Sequence, residues 1–151
     1  MALERLKLKP NPIALLQGKK IDTVMISSLI DRLGTGGVSL FALQLCIAAG
    51  IKPIITSSSD EKIEKVKKLS PEIEGVNYKT SPDFAAEVLR LTKGQGVDVV
   101  INNAGPSWVA TELKTLAKHG SIVTVGILEG FNSALPVEVY QGLFMKAAKL
   151  Q

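Results

Sequence analysis

Short runs of apolar, often β-branched residues recur along the chain, separated by longer segments whose apolar residues have helical spacing. The runs are continuous rather than alternating, which is typical of strands that are buried on both faces of a parallel sheet. The predicted strands are IDTVMI from Ile21, VDVVI from Val97 and SIVTVGIL from Ser121, with KPIIT from Lys52 and GVNY from Gly75 as weaker ones. The closing MKAAKLQ indicates a sixth strand that is only partly supplied.

Four helices are predicted between these strands, over residues 37–49, 60–69, 82–93 and 108–118. Ser58 and Glu61 have the spacing of a capping box at the start of the second helix. Trp108 is predicted to pack against a neighbouring helix. Strands that alternate with helices of this length indicate right-handed βαβ units, and therefore an α/β, doubly wound, Rossmann-type parallel sheet. We expect a single dinucleotide-binding domain over residues 21–151, preceded by an extension over residues 1–20.

Composition and charge exclude several classes of protein. The net charge of +4 is modest, and many lysines alternate with acids in DEKIEKVKK, a pattern typical of a solvated helix face. We therefore expect no nucleic-acid partner. The apolar run over residues 40–51 is shorter than the roughly 20 residues of a membrane-spanning helix, and the first residues contain no signal-peptide core. The sequence thus predicts a cytoplasmic protein without a membrane segment.

A glycine turn opens the most apolar of the predicted helices, in the segment Gly34-Thr35-Gly36-Gly37-Val38. In a dinucleotide site such glycines allow a tight turn and a close approach of the pyrophosphate to the helix N-terminus. Ser39 stands where the third glycine of G-x-G-x-x-G would be, so the motif alone is weak. The predicted ligand here is a nucleotide phosphate.

The end of the predicted strand KPIIT, the second along the chain, indicates which dinucleotide is bound. Residues 54–59 contain no acid to bind the ribose of NAD, and instead three serines are followed by Lys62. Hydroxyl groups and a lysine suit the extra 2′-phosphate of NADP. The alternative is that the serines only cap the next helix, and both interpretations stay open.

Several motifs together resemble the medium-chain dehydrogenase/reductase family, especially its zinc-type alcohol dehydrogenase-like and quinone oxidoreductase-like members. They are GTGGVSLFALQL, TSSSDEK, VNYKT, LTKGQGVDVV and GSIVTVGIL, which occur in the order and spacing of that family. The resemblance implies an NADP(H)-binding domain of an oxidoreductase that transfers hydride between NADPH and a small carbonyl, enone or alcohol substrate. The cofactor-binding residues that it implies, together with the serines above, are Gly34, Thr35, Gly36, Gly37, Val38, Ser57, Ser58, Lys62, Tyr78, Asn103, Ala104, Gly105, Gly126 and Leu128.

The sequence also departs from that family. The family's N-terminal catalytic domain has no counterpart in these residues, so the catalytic residues are unknown. Cys46 and His119 are the chain's one cysteine and one histidine, and both lie in stretches of structural character, so no metal site is expected. In addition, MISSLIDRL separates Val24 from Gly34, a longer connection than the family's strand and glycine turn show.

Two other functions remain open. The segment NNAG from Asn102 resembles a short-chain dehydrogenase motif, but neither Tyr78 nor Tyr140 is followed four residues later by the lysine which that family needs. A non-catalytic nucleotide-binding or interaction module is the second alternative. Sheet edges and apolar faces left uncovered would predict a second copy or another chain as a partner.

Overall fold

A computed structural model describes residues 15–16, 19–27, 37–126 and 134–151 of the chain. The strands are β1 (Leu15–Leu16), β2 (Lys19–Lys20), β3 (Thr23–Ser27), β4 (Lys52–Ser57), β5 (Glu74–Asn77), β6 (Val97–Asn102), β7 (Leu116–Thr124) and β8 (Lys149–Leu150). The helices are α1 (Gly37–Ala48), α2 (Asp60–Lys67), α3 (Phe84–Leu91), α4 (Pro106–Thr115) and α5 (Val137–Lys146).

Six strands form one parallel sheet in the order β5-β4-β3-β6-β7-β8, and β1 and β2 pair with each other in antiparallel orientation. Strand order therefore reverses between β3 and β6, where Ser27 lies opposite Asn102. This confirms the doubly wound, Rossmann-type α/β fold. The boundary between the predicted extension and the domain stays a prediction.

The sheet is buried on both faces, as the continuous apolar strands predicted. On one face, Val24 and Ile26 of β3 pack in a cluster with Leu43 of α1 and residues of α2. On the other face, Met25 of the same strand lies in a cluster with residues of α3, α4 and α5. Because successive side chains of a strand point to opposite faces, a run of apolar residues serves both clusters.

The cap of α2 differs from the prediction. Ser59, not Ser58, is the N-cap, and its hydroxyl accepts a hydrogen bond of 3.4 Å from the backbone N–H of Lys62. The capping box with Glu61 was therefore wrong. The reason is geometric, since α2 begins at Asp60 and the N-cap is the residue directly before the first helical one.

The boundary between α4 and β7 also differs from the prediction. The helix ends at Thr115 rather than near residue 118, and Leu116 already pairs with Val97 of β6. An irregularity in this pairing precedes the regular ladder that starts at Ser121. His119 lies in the irregular part, exposed and with φ of 63°, which agrees with the structural character predicted for its stretch.

The C-terminal end adds one helix that the sequence analysis missed and one strand that it predicted. Helix α5 crosses from β7 to β8, and the short β8 pairs with β7 at Ser121 and Ile122. Large apolar side chains of α5 are exposed, Phe144 and Met145 most of all. A partner that covers such a surface stays a prediction. Among the described residues, no helix combines the length and apolar character that crossing a membrane requires.

Candidate functional site

The carboxyl ends of the parallel strands form the candidate site. In open α/β sheets, ligands bind outside these ends where the strand order reverses, which here is between β3 and β6. The predicted site residues Gly34, Thr35, Gly36 and Leu128 lie outside the described residues. The other predicted residues are described, and most of them lie at this edge of the sheet.

Three elements converge beside the switch point. The side-chain amide of Asn103, directly after β6, donates a hydrogen bond of 2.9 Å to the hydroxyl of Ser39 in the first turn of α1. Gly126, just beyond β7, lies so close that a Cβ atom there would be 3.3 Å from the carbonyl oxygen of Asn103. Gly37 and Val38 are exposed at the start of α1, where backbone N–H groups lack partners within the helix. Ser39 thus joins the helix to the end of β6, a role that the sequence analysis did not assign.

A second group of polar residues lies at the ends of β4 and β5. The backbone N–H of Tyr78 donates to the carbonyl oxygen of Ser57 at 3.1 Å, which holds the two strand ends together. The hydroxyl of Ser57 is buried and accepts a hydrogen bond from the backbone N–H of Ser59. Ser58 and Lys62 are half-buried. The structure therefore brings Ser57, Ser58, Lys62 and Tyr78 to one corner of the sheet, and their role in binding a cofactor stays a prediction.

Asp60 is an acidic residue at this corner that was not among the predicted site residues, because it follows the last residue of the serine run, Ser59. It is the first residue of α2, and one of its carboxylate oxygens accepts a hydrogen bond of 2.9 Å from the side chain of Asn77. The side-chain oxygen of Asn77 accepts a hydrogen bond of 2.9 Å from the backbone N–H of Lys79. An acid is thus present near the position from which a carboxylate binds the ribose of NAD.

Tyr78 has a packing role as well as a predicted binding role. Its ring meets the ring of Trp108 edge to face, with the two centroids 5.0 Å apart. Trp108 also lies 6.0 Å from the ring of Phe84. The prediction that Trp108 is a packing residue is confirmed.

A buried carboxyl group lies beneath the switch point. Glu112 of α4 is fully buried, and its two oxygens accept hydrogen bonds from the hydroxyl of Ser27 at 2.5 Å and the side-chain amide of Asn102 at 2.7 Å. Burial raises the pKa of Glu112 to about 7, against the opposing effect of the two hydrogen bonds. None of these three residues was among the predicted site residues.

The one cysteine and one histidine do not fit a zinc site. Cys46 is buried within α1, and burial raises the pKa of its thiol to about 11, so it stays protonated and is a poor metal ligand. His119 is exposed in β7, a different element. Among the residues that the structure describes, no three side chains of histidine, cysteine, aspartate or glutamate lie together as metal ligands.

Sequence comparison decides the family. The model of the zinc-binding dehydrogenase family matches residues 37–151, which begin with α1 and end with β8. The chain belongs to the zinc-binding dehydrogenase family. This confirms the resemblance to zinc-type alcohol dehydrogenase-like and quinone oxidoreductase-like proteins. The family is one of NAD(P)-dependent oxidoreductases.

Similar proteins include a zinc-type alcohol dehydrogenase-like protein of Schizosaccharomyces pombe, which is 42% identical over 113 residues. That match covers 75% of this chain and 32% of the relative, so the chain spans about a third of the relative's length. A quinone oxidoreductase of Pseudomonas syringae has a TM-score of 0.72 and 29% identity, covering 89% of this chain and 39% of its own. An NAD-dependent alcohol dehydrogenase has a TM-score of 0.71 and 31% identity, and the match covers 85% of this chain and 35% of the dehydrogenase.

Proposed function

We propose that this chain binds NADP(H) across the carboxyl ends of its strands. The observation that carries the proposal is the convergence of Ser39, Asn103 and Gly126, because it places the start of α1 beside the ends of β6 and β7. That position is where a pyrophosphate meets a helix N-terminus in doubly wound dinucleotide sites. The predicted turn of Gly34, Thr35 and Gly36 would complete the phosphate-binding part of this site.

Preference for NADP(H) over NAD(H) is proposed from the corner formed by β4 and β5. A 2′-phosphate there would accept hydrogen bonds from the hydroxyl of Ser58 and from the ammonium group of Lys62. The hydroxyl of Tyr78, one residue beyond β5, is the third proposed donor. Ser57 holds the turn through its bond to Ser59 and is proposed to act through the backbone.

NAD(H) is the second candidate, and Asp60 is the observation that favours it. A carboxylate at the start of the helix after the second strand of the binding unit would accept hydrogen bonds from ribose hydroxyls, and it would repel a 2′-phosphate. The hydrogen bond from Asn77 directs one oxygen of Asp60 toward β5. One oxygen of Asp60 is thus already bonded within the protein, whereas Ser58, Lys62 and Tyr78 offer three donors to a 2′-phosphate. We therefore favour NADP(H).

Hydride transfer between NADPH and a carbonyl, enone or alcohol is proposed for the whole protein that contains this domain. The cofactor supplies the hydride, while protein groups must orient and polarise the substrate. The described residues that fit the cofactor form two strand-end groups, one beside the switch point (residues 37–39, 103–105 and 126) and one at the ends of β4 and β5 (Ser57, Ser58, Lys62 and Tyr78). None of them is assigned to the chemical step. For the 151-residue chain alone we therefore expect nucleotide binding with much slower turnover than a full-length relative shows.

Calorimetric titration of the purified chain with NADP⁺ and NAD⁺ tests the choice of nucleotide. Lys62→Ala should weaken NADP⁺ binding about tenfold and leave NAD⁺ binding unchanged, because a charged hydrogen bond to the phosphate is lost. Lys65→Ala is the matched control, since Lys65 lies on the same helix, is exposed and pairs with Glu61 at 2.7 Å. Equal binding of NADP⁺ by the Lys62 variant and the parent chain would contradict the phosphate assignment. Tighter binding of NAD⁺ than of NADP⁺ by the parent chain would favour NAD(H), with Asp60 as the residue that binds the ribose.

A further inference from the structure

The carboxyl group of Glu112 has no part in the proposed function, although it lies directly beneath the strand ends that border the site. It belongs to α4, while its two partners are the last residues of β3 and β6. Ser27 and Asn102 are opposite each other in the sheet. Glu112 therefore joins the two strands between which the strand order reverses.

The bonds of Asn102 carry this connection to the turn that follows β6. Its side-chain oxygen accepts hydrogen bonds of 2.8 Å from the backbone N–H groups of both Ala104 and Gly105. Its side-chain amide donates to the carbonyl oxygen of Gly105 as well as to Glu112. Every hydrogen-bonding group of the Asn102 side chain is thus used. Asn103, held between these bonds, in turn contacts Ser39 of α1.

We propose that Glu112 is a positioning residue of the dinucleotide site, which sets the spacing of the β3 and β6 ends through Ser27 and Asn102 and takes up a proton when the anionic ligand binds. This inference rests on the proposed function. Glu112 does not need to contact the ligand in this role, because both strands that it joins end at the switch point.

The hydrogen bonds of Glu112 accommodate both its ionised and its protonated form, and charge repulsion links protonation to ligand binding. Ionised Glu112 accepts at both oxygens, whereas protonated Glu112 must donate at one of them, and the hydroxyl of Ser27 can reverse to accept that proton. A negative charge at this depth also repels a bound pyrophosphate more strongly than it would in water. Ligand binding therefore favours the protonated form, and by reciprocity the protonated form binds the ligand more tightly.

The environment of Glu112 supports proton uptake near neutral pH. Burial raises its pKa to about 7, and the two hydrogen bonds that oppose this shift come from uncharged groups. Helix α4 packs against α3, α5, β6 and β7. The other ionisable side chains on α4 and on these elements are Glu87, Arg90, Asp98, Lys114, Lys118, His119, Glu138, Tyr140 and Lys146. Glu87 and Arg90 pair with each other, and Lys146 donates to the carbonyl oxygens of Lys114 and Leu116.

The test is calorimetric titration with NADP⁺ and NAD⁺ between pH 6 and pH 8, in buffers that differ in ionisation enthalpy. Such buffers report the number of protons taken up with each nucleotide. The parent chain is compared with Glu112→Gln, and with Glu138→Gln as a control for the loss of an exposed carboxylate on α5. NAD⁺ is included because it lacks the 2′-phosphate, which itself titrates near pH 6.

Between pH 6 and pH 8, the Kd for each nucleotide should rise about fivefold more in the parent chain and in Glu138→Gln than it does in Glu112→Gln. We also expect proton uptake at pH 7.5 in the first two proteins and none attributable to Glu112 in the third. Equal proton uptake and parallel pH profiles in all three would overturn the inference while leaving the proposed function intact. A folded parent chain that binds neither nucleotide at any of these pH values would overturn the proposed function, and this inference with it.

Ser27→Ala keeps the inference testable if Glu112→Gln does not fold. The hydroxyl of Ser27 lowers the pKa of Glu112 in the structure, so its removal should move the midpoint of the binding profile to higher pH. An unchanged midpoint in Ser27→Ala would contradict the inference. A merely structural role of the cluster would change affinity equally at all pH values.

Discussion

At the switch point, Ser27, Asn102 and Glu112 are buried, and Ser27 and Asn102 both donate hydrogen bonds to Glu112, whereas at the ends of β4 and β5 Ser58, Lys62 and Tyr78 are only half-buried. The first group makes its side-chain hydrogen bonds within the protein. The second group is accessible to a ligand. The contrast suggests a division of roles, in which the buried group shapes the crevice and the accessible group selects the nucleotide.

Replacing Asn102 should have the largest effect on stability. Asn102→Ala removes the partners of two backbone N–H groups and of a buried carboxyl oxygen, so the free energy of unfolding should fall by about 3 kcal/mol or more. Asn103→Ala, one residue later, loses a single hydrogen bond to Ser39 and should cost about 1 kcal/mol. Urea unfolding of the two variants measures the difference. Equal losses would show that the buried group does not hold the strand ends.

The pH dependence of stability gives the next largest effect. The pKa of Glu112 is about 7 in the folded chain and 4.5 in its ordinary state, so the folded state holds more protons between these values. The free energy of unfolding should therefore fall as pH rises from about 4.5 to about 7, by at most about 3 kcal/mol. Urea unfolding across this range should show no such contribution in Glu112→Gln. A parallel decline in both proteins would mean that Glu112 titrates normally.

Tyr78 tests the smaller effects, because it belongs to both packing and the proposed corner. Tyr78→Ala loses the edge-to-face contact with Trp108 and should lower the free energy of unfolding by about 1 to 2 kcal/mol. Tyr78→Phe retains the ring, so its stability should be unchanged while NADP⁺ binding weakens about fivefold through the lost hydrogen bond. Unchanged NADP⁺ affinity in Tyr78→Phe, measured by calorimetry, would remove Tyr78 from the binding site.

Local sequence patterns were sufficient for the sheet but not for every boundary. Six strands, the last of them only in part, and four helices were predicted because continuous apolar runs and helical spacing are local signals. The end of α4 was misplaced because Leu116 and Ala117 continue an apolar helical spacing. In the structure, pairing of Leu116 with Val97 extends the chain there instead. Helix α5 was missed because Gly142 and the β-branched Val137 and Val139 weaken its helical signal.

The candidate site was predictable to different degrees for the same reason. Ser58 and Lys62 were identified because a run of serines and a lysine follow a predicted strand that has no acid at its end, and Tyr78 because it belongs to the motif VNYKT that resembles the family. The cluster of Ser27, Asn102 and Glu112 was not, since Ser27 and Glu112 are 85 residues apart in the chain and no local pattern relates them. An isolated glutamate on a helix is ordinarily a surface residue, and only the packing of α4 against the sheet shows that this one is buried.

The most direct test of the account is an NMR titration of the isotopically labelled chain with NADP⁺, followed through its backbone amide signals. We predict saturable shifts for residues 37–39, 57–62, 103–105 and 126, which are the described parts of the two strand-end groups. Residues 142–146 of α5, on a helix outside both groups, should keep their positions. Shifts confined to α5, or none in a folded chain at millimolar nucleotide, would contradict a dinucleotide site at the carboxyl ends of the strands.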